Sequence, residues 1–358
     1  MKIAIIADAL DTQQAGIHIY VKELLDAMHA LEISDEIHII RVSNERDYPK
    51  WTEHCVPIKS IPLHMRWRQL TTIPNILNKL HPDIVYETAH FGPFRLNRSI
   101  KRCTMIHDLT PLLFPEYHSV SSHIAHKLLL RGIVDKADAI IVNSKQTQAD
   151  LALWDPISVS KSWVIPLAPR SKVLNKIQKP IIDGSYILTV GTIEPRKNHL
   201  LLLEAFEGLQ ISNLKLVIAG AIGWKSKKIV SRIKNSPKYD SIQLLGRVTN
   251  ETLSNLYQNA AIMVYPSHYE GFGLPVLEGM QYGIPVLCSD ASSLPEVGGK
   301  AARYFPIDDA ESLTTLINNV MDNEQLSSEL KAASKSHAQE FSWKKVALQT
   351  LEILRNVQ

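Results

Sequence analysis

The sequence is poor in cysteine. Cys55, Cys103 and Cys288 are odd in number, widely spaced and free of any Cys-x-x-Cys pair, which excludes a disulfide framework and a cysteine zinc site and fits a reducing compartment. It also lacks an apolar run of about 18 residues, so no membrane-spanning helix is expected. No signal-peptide layout precedes the strand-like Ile3 to Ala7; a cytoplasmic protein is expected, peripheral on the cytoplasmic membrane face at most. Charge of one sign is missing as well. With 39 basic against 36 acidic residues and a net charge of +3, the chain is far from the basic balance that holds nucleic acid, and no nucleic-acid partner is expected. There is no Asp-x-Asp pair, no internal repeat and no low-complexity tract. The turn after the first strand, Asp8 to Gly16, has no Gly-x-Gly-x-x-Gly, which argues against a nicotinamide dehydrogenase.

What is present is the composition of a globular protein, 45% hydrophobic and 21% charged over 358 residues, a length suited to two domains. Short β-branched runs alternate with amphipathic stretches, the pattern of βα units feeding a parallel sheet and so of an α/β fold. The first half offers strands at 2–7, 36–42, 83–87, 103–107 and 139–143; the second offers 186–191, 214–219, 242–245, 261–265 and 285–288. The two series meet near 166–184, where Pro166, Pro169, Pro180 and Gly184 interrupt all periodicity. Two Rossmann-like domains are therefore expected, 1–168 and 169–342, with a terminal helix at about 343–358 able to pack back on the first.

The most informative segment is Ser267 to Asp290, SHYEGFGLPVLEGMQYGIPVLCSD. Glu270 stands just past a strand, Gly271 and Gly273 bracket Phe272, and a helix is expected from Leu274-Pro275, since proline suits a first helical turn. Strand, glycine turn and helix N-terminus together let a phosphate approach backbone N–H groups. Glu278 lies about one helical turn further in. Neither carboxylate suits a phosphate, but each can accept paired hydrogen bonds from neighbouring hydroxyls. The alternative is a helix entry with an acid near its start and a solvated Glu inside it.

A second constellation, GTIEPRKNHLLLLEAF from Gly191 to Phe206, follows the strand at 186–191. Gly191 and Thr192 end that strand, Arg196 and Lys197 occupy the loop, and Asn198 is placed to cap the helix that begins at His199. Two cations at the carboxyl end of a parallel sheet suit a diphosphate, because fixed positive charge stabilises a leaving group that accumulates negative charge. They could do what a metal does elsewhere, and no metal is expected. A basic pair in a loop is equally often just solvated. In the first half, His107-Asp108 ends a strand, with Asp108 placed to orient the loop; Gly16 opens the first helix. A purely structural histidine is the competing reading of His107.

These residues resemble glycosyltransferase family 4, retaining enzymes of GT-B fold in which two Rossmann-like βαβ domains face each other across a cleft, with bacterial mannosyl- and rhamnosyl-transferases as the nearest kin. The likeness covers nearly the whole chain and is sharpest over Tyr186 to Phe305, where Glu270 and Glu278 are similar to the family's two-glutamate signature and Arg196-Lys197 to its diphosphate pair. Ser292-Ser293-Leu294-Pro295-Glu296-Val297, Gly246-Arg247-Val248, His107-Asp108 and Phe341-Ser342-Trp343 add weaker matches. The resemblance implies that Glu278 holds the donor ribose, that Glu270 sits by hydroxyls of the transferred sugar, and that Arg196 and Lys197 hold the diphosphate. Backbone around Phe272, Gly273 and Leu274 would line sugar and phosphates, Arg247-Val248 would lie near the base, and His107 would contact the sugar. It also implies a nucleotide-sugar co-substrate, GDP- or UDP-linked, with no tightly bound cofactor. Three departures stand out: the usual glycine pair after the first strand is Ala15-Gly16, the basic residue often found two places later is His18, and Leu167-Ala168 replaces a common Asn-Gly.

Transfer of a hexose, with mannose from GDP-mannose as the leading choice, to a saccharide or polyprenyl-diphosphate-linked acceptor is the expected function. An epimerase or phosphorylase of the same fold and a catalytically silent donor-binding scaffold are the alternatives. Trp51, Lys59, His64, Met65, Arg66, Trp67 and Arg68 make the stretch Trp51 to Leu70 basic and aromatic, a composition suited to the inner-membrane interface. Its competing reading is a helix with Trp67 turned inward and its arginines solvated.

Overall fold

The computed structural model describes residues 1–12, 16–60, 64–89, 92, 95–118, 120–171 and 179–357, without the side chains of 66, 121 and 122. They divide into two compact units, one of residues 1–113, 119–167 and 342–358, the other of 114–118 and 168–341.

Among the described residues, the first unit carries a seven-stranded parallel sheet built from β1 (Lys2–Ile6), β2 (Glu36–Arg41), β3 (Thr52–Cys55), β4 (Ile84–Glu87), β5 (Lys101–Ile106), β6 (Ala139–Val142) and β7 (Ser162–Val164), in the order β3-β2-β1-β4-β5-β6-β7. β1 pairs on one side with β2 and on the other with β4, so the chain order reverses there. Ala4, Ile40 and Val85 on these strands pack with Ile73 and Leu77 of helix Ile73–Leu80 on one side of the sheet, while Ile140 and Val142 pack with Leu130 and Val134 of helix Val120–Lys136. The terminal helix Trp343–Asn356 belongs to this unit. Ser342 caps it by accepting from the Lys345 amide, and it buries Trp343, Val346, Leu351 and Leu354 against helix Gly16–Ala30, with Trp343 beside Tyr20 and Arg355 paired to Asp35.

The second unit repeats the design with six described parallel strands, β8 (Tyr186–Val190), β9 (Lys215–Ala219), β10 (Ile242–Gly246), β11 (Ile262–Tyr265), β12 (Val286–Ser289) and β13 (Arg303–Phe305), in the order β10-β9-β8-β11-β12-β13. Ile187, Ile218, Val264 and Leu287 project into a core shared with Leu202, Phe206, Leu313 and Ile317 of the covering helices. The reversal of chain order falls between β8 and β11, the place where open α/β sheets leave a crevice at their carboxyl ends. Both units are Rossmann-like.

Three strands have no counterpart in the sequence pattern: β3, β7 and β13. Each is an edge strand of three or four residues, and β3 and β7 have no fully buried position. Without a buried face there is no alternation to read. The Trp51–Leu70 stretch also differs from the single helix considered for it. It contains β3, and after residues 61–63, which lie outside the described residues, helix His64–Trp67 runs into a π-helical segment, Arg68–Thr72. Trp67 is 61% exposed rather than inward, whereas Arg68 is fully buried and holds both oxygens of Asp8 at 2.8 and 3.0 Å. The inside-out reading of this stretch is thus reversed for both residues, because a bidentate carboxylate partner, invisible in local sequence, compensates the burial of the guanidinium.

Candidate active site

The loops after β8 and β11 meet at the reversal point of the second sheet. After Val190 the chain passes through Gly191 and Thr192 into a single 3-10 turn, Pro195–Lys197, whose proline fixes the first helical φ. Asn198 takes a left-handed conformation (φ 51°) and starts helix His199–Gly208. Its side chain does not cap that helix as expected; its amide donates to the Ile307 carbonyl at 2.9 Å instead. The turn is tied to the β11 loop through the His268 amide, which donates to the Arg196 carbonyl at 2.8 Å.

Side chains from the two loops converge. Lys197 Nζ donates to Glu270 Oε1 at 2.5 Å and to the Tyr265 hydroxyl at 2.7 Å. Arg196 lies 2.9 Å from Glu270 Oε2, donates to the Tyr269 carbonyl at 2.7 Å, and pairs with Glu194 at 2.8 Å. Glu270 is only 7% exposed. Burial alone would raise its carboxyl, but the nearby charges of Arg196 and Lys197 override it and hold the group at about 2. Lys197 is pulled below the ordinary lysine range by burial, with Glu270 opposing that shift and Arg196 adding to it. Two largely buried cations therefore share one resident carboxylate, with Glu194 as a second partner of Arg196, so the four charges balance and both cations lie where an incoming anion can meet them.

The segment carrying Glu270 is clasped by a serine pair that the sequence offered only as a weak motif. The Glu270 amide donates to Ser292 Oγ at 2.9 Å, and Ser293 Oγ donates to the carbonyls of Glu270 and Phe272 at 3.0 and 2.8 Å. Gly273 takes φ 102° and stands as N-cap of helix Leu274–Gln281, where a Cβ would meet Leu294 at 2.7 Å. Gly271, Phe272, Gly273 and Leu274 thus form a buried turn between the two glutamates. The β8 end is packed as tightly. A Cβ on Gly220 would come within 1.8 Å of the Gly191 carbonyl oxygen, and one on Gly223 within 2.4 Å of Thr192 Cγ2.

Glu278, on helix Leu274–Gln281, is 4% exposed and has partners of its own: Arg170 Nε donates to Oε1 at 2.7 Å and the Tyr257 hydroxyl to Oε2 at 2.9 Å. Neither Arg170 nor Tyr257 was identified from sequence, and no local signal marks them; they lie 108 and 21 residues from Glu278. Arg247, exposed, and Val248 follow β10, two strands from β8.

The remaining candidates belong to the first unit. His107 follows β5, donates through Nε2 to the Thr88 carbonyl at 2.9 Å, and meets Tyr20 edge-on at 5.0 Å; burial lowers its pKa. Asp108 accepts from the Thr110 amide and hydroxyl at 3.1 and 2.7 Å, which ties down the loop behind it. Gly16 opens helix Gly16–Ala30, where a Cβ would meet nothing within 4 Å among the described residues, and His18 contacts the Ala9 carbonyl at 3.2 Å. Ala15 lies outside the described residues.

Comparison with known proteins is decisive for the family. The family profile for glycosyl transferases group 1 matches residues 174–337, and that for Glycosyltransferase Family 4 matches residues 15–168. The O-antigen chain mannosyltransferase B of Escherichia coli is 31% identical over 287 residues, 76% of this chain and 74% of that protein. The chain belongs to glycosyltransferase family 4. A second relative, the serotype-specific mannosyltransferase WbdA of Escherichia coli, is 28% identical over 227 residues, 57% of this glycosyltransferase but only 28% of WbdA, so the match spans about a quarter of that longer protein. Among solved structures, the sucrose-phosphate synthase from Thermosynechococcus elongatus superimposes with a TM-score of 0.79 at 21% identity, covering 100% of this chain and 99% of that one. The glycosyltransferase has the GT-B fold. Among the described residues, none of its helices is long and apolar enough to cross a membrane.

Proposed function

We propose that this glycosyltransferase moves mannose from GDP-mannose to a saccharide or a polyprenyl-diphosphate-linked saccharide, with retention at the anomeric carbon and without a metal ion. The observation that carries the reading is the convergence of Arg196, Lys197 and Glu270 at the carboxyl ends of β8 and β11. The choice of mannose rests on the mannosyltransferase names of the relatives. Arg196 and Lys197 hold the donor diphosphate, assisted by backbone of Gly191, Thr192 and Gly271 to Leu274. As the bond from the anomeric carbon to the diphosphate oxygen breaks, its electron pair stays on that oxygen, and the two cations stabilise the charge. An acceptor hydroxyl attacks the same face and passes its proton to the departing phosphate oxygen.

Glu270 positions hydroxyls of the transferred sugar and serves meanwhile as counter-ion to the two cations. Glu278 accepts from ribose hydroxyls, Arg247-Val248 neighbour the base, His107 contacts the transferred sugar, and Gly16 with its helix start serves a donor phosphate or the acceptor. Domains of 1–168 and 169–342 supply acceptor and donor functions respectively. The exposed Trp67 and Met65, 61% and 45% accessible, support peripheral contact with the inner membrane, where a lipid-linked acceptor would reside.

Calorimetric titration with GDP-, UDP- and dTDP-sugars, followed by product analysis, tests the reading. Preferential binding of GDP-mannose and release of GDP that depends on acceptor and persists in chelator are expected. Release independent of acceptor, or wild-type turnover in Glu270→Ala, overturns it.

A further inference from the structure

Glu278 poses a physical question that a ribose ligand alone does not answer. A carboxylate that is 4% exposed has given up most of its hydration and needs directed hydrogen bonds in its place. Two residues supply them, and each is braced in turn. Arg170 donates from Nε to Oε1 at 2.7 Å and from Nη1 to Asn250 Oδ1 at 2.6 Å, and its carbonyl accepts from Gln281 Nε2 at 3.2 Å. Tyr257, 2% exposed, gives its hydroxyl to Oε2 at 2.9 Å and stacks on Tyr282 with ring centroids 5.4 Å apart and 18° between planes. Asn250 and Tyr257 share helix Asn250–Asn259, whereas Glu278 and Gln281 share helix Leu274–Gln281. Arg170 thus spans the two helices across the carboxylate it holds.

An ionised carboxylate has about four acceptor positions, two on each oxygen. Among the described residues Arg170 and Tyr257 occupy one on each oxygen, which leaves one on each for a ligand. Two open positions on adjacent oxygens of one rigid group match two vicinal hydroxyls. Resting on the reading of Glu278 as the ribose ligand, we propose that Arg170 and Tyr257 are positioning residues for nucleotide recognition: they hold the Glu278 carboxylate in one orientation so that its free half selects a cis-diol.

The test is discrimination between nucleotides with and without that diol. Dissociation constants of GDP and 2′,3′-dideoxy-GDP, and of the UDP pair, are measured by calorimetry for the wild type, Arg170→Ala, Arg170→Lys, Tyr257→Phe and Glu278→Gln. The wild type should prefer the diol by about 10- to 100-fold, the scale of hydrogen bonds to a charged group. In Arg170→Ala the preference should fall to about twofold while affinity for the dideoxy compound stays put, because only contacts made through Glu278 are lost. Arg170→Lys restores charge but not the fork geometry and should recover part of the preference. Tyr257→Phe removes one oxygen from a stacked ring and should lower it several-fold without disturbing packing. If Arg170→Ala and Tyr257→Phe keep the wild-type preference, or weaken both compounds equally, the positioning role is overturned while Glu278 keeps its assignment. If the wild type does not distinguish the two compounds, the ribose reading of Glu278 falls, and the positioning role with it.

Discussion

Lys197 Nζ lies 2.5 Å from Glu270 Oε1 although the residues are 73 apart in sequence, because each sits in the loop after one of two strands, β8 and β11, that are neighbours in the sheet. That adjacency comes from the reversed strand order, and it turns two unremarkable sequence features, a basic pair and a lone acid, into one electrostatic unit. The unit is buried, so its members cannot be altered independently.

Substitutions at Glu270 should therefore show two separable effects. Glu270→Ala leaves Lys197 without its carboxylate partner and Arg196 with Glu194 alone, and should cost about 3 kcal/mol of stability in the nucleotide-free protein, read as a lowered midpoint in urea. Nucleoside diphosphate should restore part of that loss, since it supplies the missing negative charge. Turnover should stay depressed by about a hundredfold or more even at saturating donor, the scale of a lost transition-state contact. Full recovery of rate at high donor concentration would mean that Glu270 acts only as a counter-ion.

Gly220 offers a test of how tightly the β8 loop is set. The Gly220 amide donates to the Gly246 carbonyl at 2.8 Å, while the Gly191 amide donates to the Ala219 carbonyl at 3.0 Å. With backbone already in contact, the Cβ of Gly220→Ala, 1.8 Å from the Gly191 carbonyl oxygen, can be accommodated only by moving the Gly191-Thr192 turn. We expect a loss on the order of 3 kcal/mol together with weakened diphosphate binding. Gly132→Ala, inside helix Val120–Lys136 where a Cβ meets nothing within 4 Å among the described residues, is the control and should leave diphosphate binding unchanged and raise stability by up to about 1 kcal/mol.

The sequence was most legible where burial is two-sided. Each of the ten strands expected from β-branched runs appears within about two residues of its place, as with Ile262–Tyr265 and Val286–Ser289, which are buried along their whole length. The short edge strands escaped for want of that signal. In the candidate site the same division holds. Glu270, Arg196 and Lys197 are recognisable because glycine, proline and strand signals surround them, and the start of helix Leu274–Gln281 follows from Pro275. Arg170 and Tyr257 are not, because a carboxylate's partner depends on tertiary packing and leaves no mark in local spacing. Arg68 is the sharpest case: a guanidinium in a basic, aromatic stretch reads as solvated, and only its bidentate pairing with Asp8 shows why it is buried.

That pairing separates stability from membrane contact in the His64–Trp67 region. Asp8→Ala strands a fully buried guanidinium and should cost about 3–5 kcal/mol. Trp67→Ala removes a side chain that is 61% exposed and should leave the unfolding midpoint within about 0.5 kcal/mol, yet reduce cosedimentation with anionic liposomes several-fold. Unchanged cosedimentation in a Trp67→Ala, Lys59→Ala double variant would remove this segment from any membrane role.

The pH dependence of stability should carry the mark of His199. Its ring is 2% exposed at the start of helix His199–Gly208, Nδ1 has no partner among the described residues, and burial, reinforced by the charge of Lys197, lowers its pKa to about 4. An unfolded histidine takes up its proton near 6.5, so between those values the unfolded chain binds more protons than the native one, and stability must fall as pH drops through that window. The ceiling on the effect is about 3 kcal/mol. Glu270 acts lower down: held at about 2 against an ordinary 4.5, it stabilises the fold above pH 4.5, and that contribution disappears as pH falls towards 2. Urea titrations at pH 7, 6, 5 and 4 should therefore show a slope that His199→Leu flattens between 6.5 and 4 and that Glu270→Gln leaves intact there. A slope unchanged in His199→Leu would mean that the imidazole gains a proton and a partner by local opening, well before the fold is lost.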